Sequence, residues 1–170
     1  MVKKIRYALG NAPDYVISGG QKPQGGNDSA QKWVVLEVEF DTFVPWVTEA
    51  TFDTYVYIEP PGSAKAVNLQ GTAIYQDIEK GQSHKVAMFM SPQTYRQFTG
   101  TSTQQAIKDV AVRVTVGGAM ADLYSDKYGR RANKRWWEAI APKPSVLRAI
   151  KDTPWYPLYY GVYEQLKPAS

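Results

Sequence analysis

The sequence contains no cysteine and a single histidine. The first absence removes disulfides, thiolate nucleophiles, zinc fingers and iron–sulfur ligation together. The second leaves His84, beside Lys85 at the start of a strand, with no acid–serine pattern around it, so it reads as a surface histidine rather than a triad base. No run approaches the roughly 20 apolar residues of a membrane-crossing helix, and Met1 to Gly10 is too short and too charged for a secretory signal. The glycine pairs Gly19-Gly20, Gly25-Gly26 and Gly117-Gly118 lack the lysine and the strand-to-helix setting of a phosphate loop, and read as loops and turns. Carboxylates are scattered along strands. The closest pairs, Glu37 with Glu39 and Asp77 with Glu79, each project to one side of a strand and read as solvated faces rather than acid–base or calcium sites. From these absences the expectation is a chain with no catalytic residue, no cofactor and no metal.

What is present favours a packed β protein. A chain of 170 residues, 44% hydrophobic and 13% aromatic, can fill the core of one domain with extensions. The net charge of +4 hides an asymmetry: residues 127 to 151 hold eight of the twenty Lys and Arg against one acid, Glu138. That window is +7 and the remainder −3. A basic window of this kind meets phosphates, acidic glycans, anionic lipid or an acidic protein face, or keeps the protein soluble.

Alternation marks the strands. In Trp33 to Phe40, Val34, Leu36, Val38 and Phe40 share one face and Glu37 and Glu39 the other. Thr51 to Glu59 sets Phe52, Thr54, Val56 and Ile58 against Asp53, Tyr55, Tyr57 and Glu59, and stops at Pro60-Pro61-Gly62. Ala66 to Ile78, bulged at Gly71, and Lys85 to Met90 read as two further strands. Asp109 to Gly118 is the clearest, with Val110, Val112, Val114 and Val116 on one side. Arg135 to Ile140, ended by Pro142, reads as a last strand. Ile5 to Leu9, with Tyr15 to Ile17, is either a first strand or an N-terminal arm, and Gly19 to Gln31 a flexible surface loop.

One helix is expected, because Ser91 offers an N-cap, Pro92 the first helical position and Gly100 a stop. Val146 to Lys151 suggests a helical turn. The segment Thr153 to Tyr163 carries five aromatics, whose burial at about 25 cal/mol per Å² favours packing back on the body. The expected architecture is an all-β, immunoglobulin-like sandwich of about seven strands with an aromatic C-terminal extension. Its divisions are 1–31 for the arm and loop, 32–145 for the sandwich and 146–170 for the extension.

The helix from Ser91 to Phe98, the strand Val110 to Val116 after it and the tail Thr153-Pro154-Trp155-Tyr156-Pro157-Leu158-Tyr159-Tyr160 together resemble a pilus-associated immunoglobulin-like protein family of Verrucomicrobia, over Trp33 to the C-terminus. The resemblance implies an exported protein of the periplasm or cell surface, linked to type IV pilus-like machinery, with no catalytic residues to carry over. The sequence departs from it by having no signal peptide, as a trimmed chain would.

Two binding readings follow. The first is a structural or adhesive module contacting other envelope or pilus proteins through strand edges and aromatic surface, with Tyr55, Tyr57, Trp136 and the C-terminal tyrosines as contact residues. The second is recognition of an anionic polymer, an acidic glycan or nucleic acid, by Arg130, Arg131, Lys134 and Arg135 beside Trp136. Set against the second, the same segment is also what a basic hairpin turn with Trp136 or Trp137 in the core would look like.

Overall fold

Two long β-rich stretches joined by Pro60-Pro61-Gly62 form one hairpin, and the hairpin is bent. The computed structural model describes residues 1–13, 32–63, 65–130, 135–156, 159 and 161–168. In it β2 (Trp33–Ile58) pairs antiparallel with β3 (Val67–Met90) along almost its whole length. The strand pairs expected at 33–40 with 51–59, and at 66–78 with 85–90, are therefore two continuous strands rather than four. Near their middles the register slips. Phe40 faces His84, Thr42 faces Gly81 and Trp46 faces Glu79, so Phe43, Val44 and Pro45 stand opposite Lys80 alone. Extra residues in a ladder bend it and increase its twist.

The bend folds one sheet into two layers. The first carries β1 (Val2–Gly10), the N-terminal half of β2, the C-terminal half of β3 and β7 (Arg148–Ala149). The second carries β5 (Ala119–Ser125), β4 (Ile107–Val116), the other halves of β2 and β3, and β6 (Pro142–Lys143). Val34, Leu36, Val38 and Phe40 of the first layer pack on Phe52, Val56, Ile58, Val110 and Val112 of the second, and the Phe40 and Phe52 rings lie 5.1 Å apart. The fold is thus all-β and sandwich-like, as the alternation requires. Of the two readings of Ile5 to Leu9, the strand is the one formed, and the Val2 amide reaches across to Asp122 of β5 at 2.7 Å.

Helix α1 (Pro92–Thr99) follows the expected signals: Ser91 Oγ accepts from the Thr94 amide at 3.2 Å, and Gly100 closes the helix at φ 66°. It buries Tyr95 against the core and packs on both β2 and β3. Gly117 and Gly118, both at positive φ, form the two-residue turn into β5, a strand the sequence reading missed. Gly71 is no bulge, since the register runs through it unbroken. It is glycine because a Cβ there would lie 2.4 Å from the Leu147 Cβ.

Arg135 to Ile140 is a correction of kind. Trp136–Ala139 is a short helix, α2, not a strand. It lies over the outer face of the second layer, where Trp136 and Trp137 cover Tyr55 and Ala111. The outer face of the first layer is covered in the same way: Trp155 stacks on Phe89 at 5.3 Å and meets Trp33 edge-on at 5.4 Å. The Gln165 carbonyl and the Lys167 amide bond to β3; of the described aromatics expected to pack back, Trp155 is buried, whereas Tyr156 and Tyr159 stay exposed. The turn expected at Val146 to Lys151 is a short 3₁₀ turn at Ile150–Asp152. The loop expected at Gly19 to Gln31 and the segment Tyr15 to Ile17 lie outside the described residues.

Candidate binding surfaces

Asp109 is the buried centre around which one end of the second layer is organised. It is 1% exposed, and its two oxygens take four hydrogen bonds. Oδ1 accepts from the amides of Val110 at 2.8 Å and Lys127 at 3.0 Å. Oδ2 accepts from Ser125 Oγ and Trp136 Nε1, both at 2.7 Å. A buried carboxylate with every lone pair occupied is tolerated where an unpaired one is not. Ser125 and Gly129 then exchange backbone hydrogen bonds and the Tyr128 amide bonds Ser125 Oγ, which sets the turn at 125–129. Asn68, fully buried, donates to the carbonyls of Trp137 and Ile140 at 3.2 and 2.9 Å and holds the far end of α2.

Between these elements lies a cleft of about 290 Å³ lined by Tyr57, Glu59, Lys108, Asp109, Lys127, Tyr128 and Trp136. Tyr57 packs on Trp136 with ring centroids 5.2 Å apart and donates to Glu59 at 2.9 Å. Its hydroxyl is held above its ordinary pKa, first by burial and then by the Glu59 carboxylate that accepts its proton. Burial pushes Tyr55 in the same direction.

The structure brings together three of the residues expected to bind and separates the cations. Tyr55, Tyr57 and Trp136 share one cluster, but Tyr55 and Trp136 are buried there, so they form the floor of a covered face rather than contact surface. The reason is α2, which covers a strand face that would otherwise be open. Arg130 forks onto Asp122 at 3.1 and 3.2 Å, bonds the Val2 carbonyl and lies 5.4 Å over Tyr124, so it ties β5 to β1. Arg135 begins α2 and pairs with Glu138 at 3.3 Å. Arg131 and Lys134 lie outside the described residues.

Sequence reasoning missed the apolar knuckle at the bend. Phe43, Val44 and Trp46 are 64%, 52% and 50% exposed, the first two in the bulge between the Thr42–Gly81 and Trp46–Glu79 pairs. The available signal was Phe-Val-Pro-Trp at 43–46, an apolar run with proline where the alternation of β2 fails. His84 is not the surface residue expected. It is half-buried, bonds Glu164 of the tail at 2.7 Å through Nδ1 and Thr42 at 3.2 Å through Nε2. Glu37 and Glu39 likewise pair with Arg6, and Glu37 also with Lys85. Tyr156 and Tyr159 of the tail are exposed, whereas Tyr163 bonds Glu37 at 3.4 Å. Among the described residues no three His, Asp or Glu side chains group as a metal site, and no helix is long and apolar enough to cross a membrane.

A family model matches the chain over residues 1–170. The chain belongs to that family. Three chains of known structure match the fold. One, a crystal structure from Akkermansia muciniphila, superposes with a TM-score of 0.80 over 100% of this chain and 93% of that one, at 18% identity. At that identity the likeness shows the shared sandwich alone. No curated protein matches the sequence.

Proposed function

We propose that this chain is a non-enzymatic structural or protein-binding module of the bacterial cell envelope, exported to the periplasm or cell surface and associated with type IV pilus-like machinery. The observation that carries the binding part of the reading is the knuckle. Three large apolar side chains within four positions, each at least half exposed at the bulge where β2 bends, form the kind of apolar surface that protein contacts use. The envelope part is supported by the resemblance of the 91–98 helix, the 110–116 strand and the aromatic tail to the pilus-associated family.

The test is capture from a bacterial envelope extract at low and high salt. It compares the wild type, Phe43→Ser/Trp46→Ser, and a variant neutralised at Arg130, Arg131, Lys134 and Arg135. Protein partners that resist salt and are lost only by the knuckle variant support the proposal. Retention by that variant removes the knuckle as the contact. Material lost with salt and with the charge variant moves the function to an anionic polymer instead.

A further inference from the structure

The cleft beside Asp109 combines features that belong to one class of ligand. Lys108 and Lys127 stand exposed at its rim, and among the described residues neither ammonium forms an ion pair. Lys127 Nζ lies instead 5.4 Å over the Tyr128 ring. Tyr128 is 39% exposed and Tyr57 half-buried, so both present aromatic surface, with Trp136 behind them. Glu59, also exposed, receives one hydrogen bond, from Tyr57, and keeps further lone pairs for donors from a ligand.

Two ammonium groups that form no ion pair among the described residues suit an anion. The Glu59 carboxylate in the same cleft can accept from neutral hydroxyls of a ligand. Aromatic surface suits the apolar face of a ring, and about 290 Å³ lies at the small end of ligand sites, room for one ring rather than a polymer segment. Nucleic acid needs a track of phosphate-neutralising cations. The described neighbours that would extend such a track, Arg130 and Arg135, are engaged with Asp122 and Glu138.

We propose that this cleft binds a carboxylated sugar, with Lys108 and Lys127 receiving the sugar carboxylate, Glu59 accepting from ring hydroxyls and Tyr128 packing on the ring. The site is separate from the knuckle and goes beyond the proposed protein contact. Asp109 is a positioning residue here, since its oxygens are consumed in fixing Lys127, Ser125 and Trp136.

The experiment is an amide-resolved NMR titration of the full chain with trigalacturonate, with neutral galactotriose and with an eight-residue oligothymidylate. Trigalacturonate is expected to shift the amides of Lys127 and Tyr128 with a Kd of roughly 0.1–1 mM. Galactotriose is expected to bind about tenfold more weakly, and Lys108→Ala/Lys127→Ala to lose about tenfold for the acidic sugar. Both lysines are exposed, so the variant folds, and an unchanged spectrum outside the cleft verifies it. Phe43→Ser/Trp46→Ser should leave the sugar response intact, which keeps this test apart from that of the protein contact. Equal binding of the neutral and acidic sugars, no shifts at millimolar trigalacturonate, or tighter binding of the oligonucleotide with steep salt dependence would each overturn the proposal.

Discussion

Replacing Asp109 by alanine tests whether one buried carboxylate organises the cleft end of the sandwich. The substitution leaves the Trp136 indole N–H and the amides of Val110 and Lys127 without their acceptor, while Ser125 Oγ loses one partner. An orphaned buried donor costs about 1–3 kcal/mol, and water entering from the adjacent cleft satisfies part of the deficit. The expected loss is therefore about 3–5 kcal/mol for Asp109→Ala, and about 1–3 kcal/mol for Ser125→Ala, which removes the bond to Asp109 and the one from the Tyr128 amide. In a chain of this size each 1 kcal/mol moves Tm by roughly 2–4 °C, so the alanine variant should melt roughly 10 °C or more below wild type. Trp136→Phe keeps the ring against Tyr57 and removes only the N–H. Because it and Asp109 share a bond, the pair should be non-additive by about 1 kcal/mol in a double-mutant cycle. Thermal melts followed by circular dichroism give all four values. A Tm within 2 °C of wild type for Asp109→Ala, or strict additivity with Trp136→Phe, would refute the hub.

Gly71→Ala should destabilise by about 1–3 kcal/mol, since its Cβ would meet the Leu147 side chain and carbonyl; melting temperature reads it, and an unchanged Tm would mean residues 144–147 are not packed as described. Alkaline pH should unfold the protein. Burial raises Tyr95 and Tyr163 to about 12 and Tyr75 well above its usual value, with the Glu37 charge adding to the effect at Tyr163. The folded state holds these protons more tightly than the unfolded chain, so their stabilisation is complete below about pH 10 and is lost as pH rises towards 12. Absorbance at 295 nm should show these tyrosines ionising only together with loss of the β signal. Ionisation of all twelve as one group near pH 10 in a still-folded protein would contradict their burial.

The sequence reading succeeded where one residue's neighbours decide its place. Val34 to Phe40 and Val110 to Val116 alternate because each strand has one face in the core, and α1 carries its caps and proline in its own eight residues. It failed where distant groups decide. Arg-Trp-Trp-Glu-Ala-Ile has β-favouring aromatics, yet it turns as a helix because Asp109, 27 positions earlier, holds the Trp136 indole and Asn68 takes the last carbonyls. The continuity of β2 and β3 was hidden because a bulge breaks period-2 alternation while leaving the ladder on both sides intact. Ala119 to Ser125 holds little β-favouring sequence and is a strand through its pairing with β4. Of the cleft, Tyr57, Trp136 and Lys127 stood out as residue types. Glu59 and Lys108 did not, because only the β2–β4 pairing sets them beside the 125–129 turn.

The same hairpin bend that makes two layers from one sheet also separates the two surfaces. The knuckle at 43–46 projects where β2 turns from one layer to the other, whereas Tyr57 and Glu59 stand at the far end of that strand. Trp46 and Tyr57 are eleven positions apart, and at about 3.3 Å per residue that stretch spans up to about 35 Å. A partner seated on the knuckle would therefore leave the cleft open, and occupation of the cleft would leave the knuckle free. Coupling between them would have to pass along β2, whose central side chains Phe52 and Val56 are locked in the core. Sites that far apart with no shared partner usually act independently. Binding at the two ends should accordingly be additive.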